Sequence, residues 1–246
     1  MADIQLQGII PPIITPLLED GSVDESALEG LATYMIESGV YGIFALGTAG
    51  EAPMLTRKQR TQTLSVLSKL CKGKVKLLVG VLESSTARAI EATEDSELYG
   101  ADAIVAAAPY YYKVQQEEIY AHFHALRQST QLPIILYNIP AYLGTGNYIE
   151  PGTILRIAQL PAVIGYKDSS GLLVKFQKTL ALTKDLEHFH VMQGVHNLSV
   201  ISLQMGAKGI VPGIGNVIPD VLVDLYHAVN AGKMEEAHRL QDIVIT

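Results

Sequence analysis

Eight short apolar runs, beginning at Gly8, Gly42, Lys76, Asp102, Pro133, Val163, His188 and Gly209, are each followed by a longer segment with helical periodicity. Successive starts lie 21 to 34 residues apart, close to the ~30 residues that a strand and its crossover helix require. That rhythm leaves no room for a second domain. Runs such as Ile104-Val105-Ala106-Ala107-Ala108 and Ile134-Ile135-Leu136 lack polar alternation, as strands do when both faces of a parallel sheet are covered. The expectation is an α/β fold, a (β/α)8 TIM barrel over residues 1–231. Residues 232–246 then start a further amphipathic helix through Met234, Ala237 and Leu240. Pro11 and Pro12 fall inside the first apolar run, so that strand should be irregular. Ser22-x-x-Glu25 and Thr56-x-x-Gln59 read as capping boxes, and Gly39, Gly73, Gly100, Gly206 and Gly232 as helix stops.

A length of 246 residues with 48% hydrophobic content is enough for one substantial core. The 18 basic and 25 acidic residues give a net charge of -7, with no basic run to neutralise a phosphate backbone, so nucleic acid is not expected as a partner. No stretch reaches the ~18 apolar residues of a membrane span, and the first residues show no basic and apolar leader. The single Cys71 sits in a helical pattern with Leu64, Leu67 and Leu70, where a buried thiol and a reducing, cytoplasmic setting are expected. Seven histidines occur, but none has ligand spacing with acidic partners at a strand end, so no metal is implied.

In such barrels the active site lies at the carboxyl ends of the strands. Lys167 ends the run Ala-Val-Ile-Gly-Tyr, whereas the other lysines fall in helices, in turns or before a strand. Burial of an ammonium favours the neutral amine, which attacks ketones to form imines. The competing reading is a structural pair with Asp168. Gly47-Thr48-Ala49-Gly50-Glu51 follows the second strand, where a Gly-rich turn brings backbone N–H groups to an anion. Tyr137-Asn138-Ile139-Pro140 ends the fifth strand. Its phenol is either a proton relay with a hydroxyl such as Thr48 or a satisfied core tyrosine. Pro109-Tyr110-Tyr111-Tyr112 places three aromatics on one loop, as a site wall or a subunit contact. Gly194, Gly213 and Gly215, after strands seven and eight, keep a phosphate-gripping barrel as another reading. His196 is a further candidate for substrate contact.

Taken together and in this order, Gly47-Thr48-x-Gly50-Glu51, Pro109-Tyr110-Tyr111, Tyr137-Asn138-x-Pro140 and Gly165-Tyr166-Lys167-Asp168 resemble the dihydrodipicolinate synthase and N-acetylneuraminate lyase family, over essentially the whole chain. The resemblance implies a lyase or synthase in which Lys167 forms a Schiff base with pyruvate, a 2-oxo acid, and a C–C bond to an aldehyde is made or broken. It implies that Tyr137 shuttles protons and that Thr48 and Tyr111 complete a hydroxyl relay. The resemblance also implies that Tyr111 would serve a neighbouring site in a homodimer or homotetramer. The backbone around Thr48 and Ala49 would hold the carboxylate, and Gly194 and Val211 would line the wall. No cofactor beyond the covalent imine is implied.

Two positions depart from the synthase branch. Ala49 stands where a second hydroxyl residue is usual, and Tyr142 where an arginine grips the aldehyde's carboxylate; a phenol cannot replace a charged bidentate fork. These departures favour an aldolase of 2-oxo-3-deoxy sugar acids over dihydrodipicolinate synthase proper. The synthase itself and a catalytically silent relative that binds a 2-oxo acid remain the alternatives. The family's C-terminal helical region is largely missing.

Overall fold

The structure, a computed structural model, describes residues 4–141 and 146–246. Eight parallel strands alternate with helices: β1 (Gly8–Ile9), β2 (Gly42–Ala45), β3 (Lys76–Gly80), β4 (Ala103–Ala107), β5 (Ile134–Asn138), β6 (Val163–Asp168), β7 (His190–Gln193) and β8 (Gly209–Ile210). Their order around the sheet is β1-β8-β7-β6-β5-β4-β3-β2, the TIM barrel expected from the sequence. The crossover helices are α1 (Glu25–Glu37), α2 (Arg57–Cys71), α3 (Thr86–Leu98), α4 (Gln116–Ser129), α5 (Pro151–Ala158), α6 (Leu173–Thr183), α7 (Ser199–Gln204) and α8 (Pro219–Asn230). Among the described residues no helix is long and apolar enough to cross a membrane.

The seam between β1 and β2 is where the prolines act. Pro11 and Pro12 have no N–H to give, and regular pairing stops after Ile9. The contact continues through what remains available. The Ile9 and Pro11 carbonyls accept from the Tyr41 and Phe44 N–H groups at 2.9 Å each, and the Ile13 N–H donates to the Phe44 carbonyl at 3.0 Å. The irregular first strand thus still joins β2, through the N–H groups of Tyr41, Phe44 and Ile13.

Helix boundaries follow local chemistry. Thr56 and Gln59 form the expected capping box at the start of α2. The box read at Ser22 and Glu25 is corrected: Asp24 caps α1, its carboxylate accepting the Ala27 N–H at 3.0 Å. Ser22 instead bonds Asp20 in the preceding turn, because a carboxylate one residue before the helix reaches N3 where Ser22, two further back, cannot. The five glycines read as helix stops all take left-handed φ.

Side chains divide by parity. Leu6, Ile10, Phe44, Leu78, Val105, Ile135, Tyr137, Met192 and Val211 fill the barrel interior. Their neighbours face the helices, where Ile104, Leu136 and Tyr166 pack with Phe123, Ile154 and Phe176. Cys71 is buried in that outer layer, as expected, and burial pushes its thiol up to about 12. A ninth helix, α9 (Met234–Ile245), lays Ala237, Leu240 and Val244 into the same layer beside α8.

Candidate active site

At the carboxyl end of β6, alternation aims Gly165 and Lys167 inward and Tyr166 and Asp168 outward. Lys167 is only 4% exposed. Its Nζ lies 4.0 Å from the centre of the Tyr137 ring and 4.9 Å from that of Phe44. Among the described residues no carboxylate pairs with it. Burial in this aromatic cup lowers the amine to about 7, so a large share is neutral near physiological pH. The structural pair with Asp168 does not form. The Asp168 carboxylate is on the opposite face, accepting the Ser170 N–H at 2.9 Å and the Asn138 amide at 3.3 Å.

Tyr137 stands opposite Lys167 in the β5–β6 ladder and meets Phe44 edge to face, with ring centres 6.1 Å apart. Its hydroxyl is 3.3 Å from Thr48 Oγ1, the pairing expected from the sequence. Burial raises the phenol's pKa, and hydroxyls of Thr48 and Ser169 act against that rise. Thr48 is delivered by a tight turn in which Leu46 and Glu51 take left-handed φ and the Glu51 N–H donates to the Thr48 carbonyl at 3.1 Å. Two glycines make the turn fit. A Cβ on Gly47 would come within 2.8 Å of the Phe44 ring, and one on Gly80 within 2.0 Å of the Leu46 carbonyl oxygen.

The remaining expected residues are distributed unequally. Gly194 and Val211 directly follow β7 and β8 at the carboxyl end of the barrel. The Gly194 N–H donates to the Asp168 carbonyl at 2.7 Å, and the Val211 N–H to the Gln193 carbonyl at 2.7 Å. Ala49 is half-buried in the Thr48 turn. Tyr111 is not brought to Tyr137 within one chain. It is 75% exposed, takes φ +82° and packs edge to face on Tyr112 at 5.0 Å. Tyr142 lies outside the described residues. His196 is half-buried in a short 3-10 turn, and its carbonyl accepts from Ser199 and Gln241.

Of the three glycines that suggested a phosphate grip, Gly213 has open space beside it, and Gly194 and Gly215 are places of close packing. A Cβ on Gly215 would meet Pro11 at 2.8 Å, and one on Gly194 would meet Ser169 Oγ at 2.0 Å. Phe44 and Ser169 were missed by sequence reasoning. Phe44 sits in an unbroken apolar run that hides which face it occupies; Ser169 was readable, since two residues after Lys167 is the same face.

The chain is a parallel barrel whose mouth holds a buried lysine beside a tyrosine and a threonine hydroxyl, and the family it matches makes it an enzyme of the carbon–carbon lyase class. Residues 5–245 match the model of the Dihydrodipicolinate synthetase family, and the chain belongs to that family. A 4-hydroxy-tetrahydrodipicolinate synthase of Laribacter hongkongensis is 35% identical over 237 residues, covering 96% of this chain and 80% of the relative. The solved dihydrodipicolinate synthase of Bacteroides thetaiotaomicron superposes with TM-score 0.93 at 38% identity, covering 98% of this chain and 80% of that one. A prophage protein of E. coli K12 from the same family, solved in complex with pyruvate, superposes with TM-score 0.94 at 28% identity over 99% and 82%. Further relatives at 31% to 36% identity carry the name 4-hydroxy-tetrahydrodipicolinate synthase. These names stand with the synthase alternative rather than with the sugar-acid aldolase favoured from Ala49 and Tyr142.

Proposed function

We propose that this chain joins pyruvate to a carboxylate-bearing aldehyde through an imine on Lys167, the reaction type of 4-hydroxy-tetrahydrodipicolinate synthases. The carrying observation is Lys167 itself, buried with no carboxylate partner among the described residues and 4.0 Å from the Tyr137 ring. The neutral amine adds to the ketone carbon, and the carbonyl oxygen takes a proton from the Tyr137 hydroxyl. The nitrogen then loses a proton, and the oxygen, protonated again, leaves as water to give the iminium. Loss of a C3 proton yields the enamine, whose C3 attacks the aldehyde carbon while the aldehyde oxygen takes a proton. Water then adds at the iminium carbon and gives up a proton to the nitrogen, and the C–N bond breaks to release the 2-oxo product and the free Lys167 amine. Thr48 relays protons to Tyr137, and the backbone around Thr48 and Ala49 receives the pyruvate carboxylate. Gly194 and Val211 wall the pocket. No metal or organic cofactor enters these steps, and the setting we infer is cytoplasmic.

Tyr111, exposed on its loop, completes the relay from a neighbouring copy in a homodimer or homotetramer. The aldolase of 2-oxo-3-deoxy sugar acids stays as the second reading, because Tyr142 supplies no guanidinium for the aldehyde's carboxylate. The test is borohydride reduction in the presence of pyruvate with intact-mass analysis and peptide mapping, followed by turnover with a carboxylated or a polyhydroxylated aldehyde. An adduct on Lys167 and turnover of the carboxylated aldehyde are expected. Turnover of the polyhydroxylated aldehyde alone would transfer the assignment to the sugar-acid reading, and no adduct from folded protein would leave a silent 2-oxo-acid binder.

A further inference from the structure

Asparagine in a loop ordinarily turns its side chain to its own turn or to the head of the next helix. Asn147 instead reaches across to another loop. It is 4% exposed, and the residue at the head of α5 is Glu150, further along the chain. The Asn147 amide donates to the Pro109 carbonyl at 2.8 Å and to the Tyr112 carbonyl at 2.8 Å, while its side-chain oxygen accepts the Val114 N–H at 3.1 Å. Between the two carbonyls stands Tyr111, with φ +82°. A residue with a side chain resists that left-handed region, and the conformation persists only where the surroundings over-determine it. Just before it, the Tyr110 hydroxyl donates to the Leu82 carbonyl at 3.3 Å. Asn147 is itself fixed. The Ile149 N–H donates to Asn138 Oδ1 at 3.1 Å, beside Tyr137. Gln116, which opens α4, donates to the Tyr148 carbonyl at 2.7 Å and accepts the Glu150 N–H at 3.0 Å. The tyrosine loop is thereby tied to the end of the strand that carries Tyr137.

We propose that Asn147 is a positioning residue for Tyr111: it grips the loop backbone on both sides of that residue and so sets the direction in which the phenol is offered to a neighbouring copy's mouth. The proposal rests on the reading of Tyr111 as the outer hydroxyl of the relay. A phenol that completes a site on another copy needs a fixed direction before the copies meet, because an exposed tyrosine on a loose backbone would have to be ordered on assembly. The three bonds come from one buried amide, with its donors on two carbonyls and its acceptor on an N–H. Aspartate, alike in shape, lacks those two donors.

The test uses pyruvate alone and so needs no knowledge of the aldehyde. Enamine formation exchanges the C3 protons of pyruvate, and in D2O the loss of the methyl signal is followed by NMR. Asn147→Ala should slow this exchange about 3- to 10-fold, the scale of one hydrogen bond, while still forming the borohydride adduct on Lys167. Backbone amide exchange in the peptide spanning residues 109–114, read by mass spectrometry, should quicken in the same variant. In a Tyr111→Phe background, Asn147→Ala should slow pyruvate exchange no further, because the hydroxyl it directs is gone. Asn147→Asp keeps the volume and an acceptor for Val114 but not both donors; it should also fall below the wild-type rate, and it carries the test if the alanine variant fails to fold. A wild-type rate in either variant, unchanged amide exchange in the loop, or an equal loss in the Tyr111→Phe background would overturn the proposal. If Tyr111→Phe alone matches the wild type, the relay role of Tyr111 falls and this proposal with it. If the wild-type protein forms no adduct with pyruvate, the imine reading itself falls first.

Discussion

At the scale of single residues, Lys167 ties chemistry to stability through one titration. Its amine is lowered from 10.5 to about 7 by burial, so between those values the unfolded chain binds a proton that the folded chain does not, and stability rises with pH across that window. Below about pH 7 the full penalty of a buried ammonium applies. Lys167→Met should therefore raise Tm at pH 6 by an amount worth a few kcal/mol, a gain that fades by about pH 10.5; a melting series over pH 6–10 checks it, and a pH-independent difference would contradict the shifted amine. Activity changes in the same direction, since only the neutral amine attacks. The second-order rate of borohydride-trapped imine formation should fall about tenfold per unit below pH 6 and level off above 8. Tyr137→Phe should keep the adduct and lower turnover by about 10²-fold or more, measured as pyruvate proton exchange.

At the scale of elements, the turns after β2 and β3 carry the pocket. Gly80 lies against the Leu46 carbonyl, and any side chain there must push the Thr48 turn off its strand. Gly80→Ala should lower both Tm and exchange activity, whereas Thr56→Ala, at the head of α2, should lower Tm alone. Loss of that capping box costs about 1 kcal/mol, or ~2–4 °C for a chain of this size, with exchange unchanged. A circular-dichroism melt run beside the exchange assay separates the two effects. The seam at Pro11 and Pro12 shows the same economy: the missing donors fall where β2 supplies its own.

At the scale of the whole molecule, one chain contains Lys167, Tyr137, Thr48 and Ser169 around one mouth, while Tyr111 stands exposed on a loop with left-handed φ. If a second copy covers that loop, two inactive variants should complement. Mixing Lys167→Ala with Tyr111→Phe under conditions that exchange subunits should yield activity above either variant alone, because half of the mixed sites combine an intact lysine with an intact tyrosine. Mixtures that stay at the level of the Tyr111→Phe variant would place its role within its own chain. The chain spans about four fifths of the length of the relatives it matches, and every residue of the proposed site falls within the matched part.

What the sequence determined by itself was whatever is local in the chain. Apolar rhythm set the eight β/α units, glycines set the helix ends, Thr56 and Gln59 set one cap, and four strand-end motifs marked the residues of the mouth. Alternation along Gly165-Tyr166-Lys167-Asp168-Ser169 would also have separated Asp168 from Lys167 and joined Ser169 to it, since period two needs no tertiary knowledge. Only the folded barrel decided the rest. Phe44 from β2 and Tyr137 from β5 close over the amine from β6, and it is this desolvation by distant strands that lowers its proton affinity. The Gly194 gap that admits the Ser169 hydroxyl, and the distance between Tyr111 and the pair it was expected to join, likewise depend on strand register and loop path. Those are properties of contacts between segments far apart in the chain, and no local pattern encodes them.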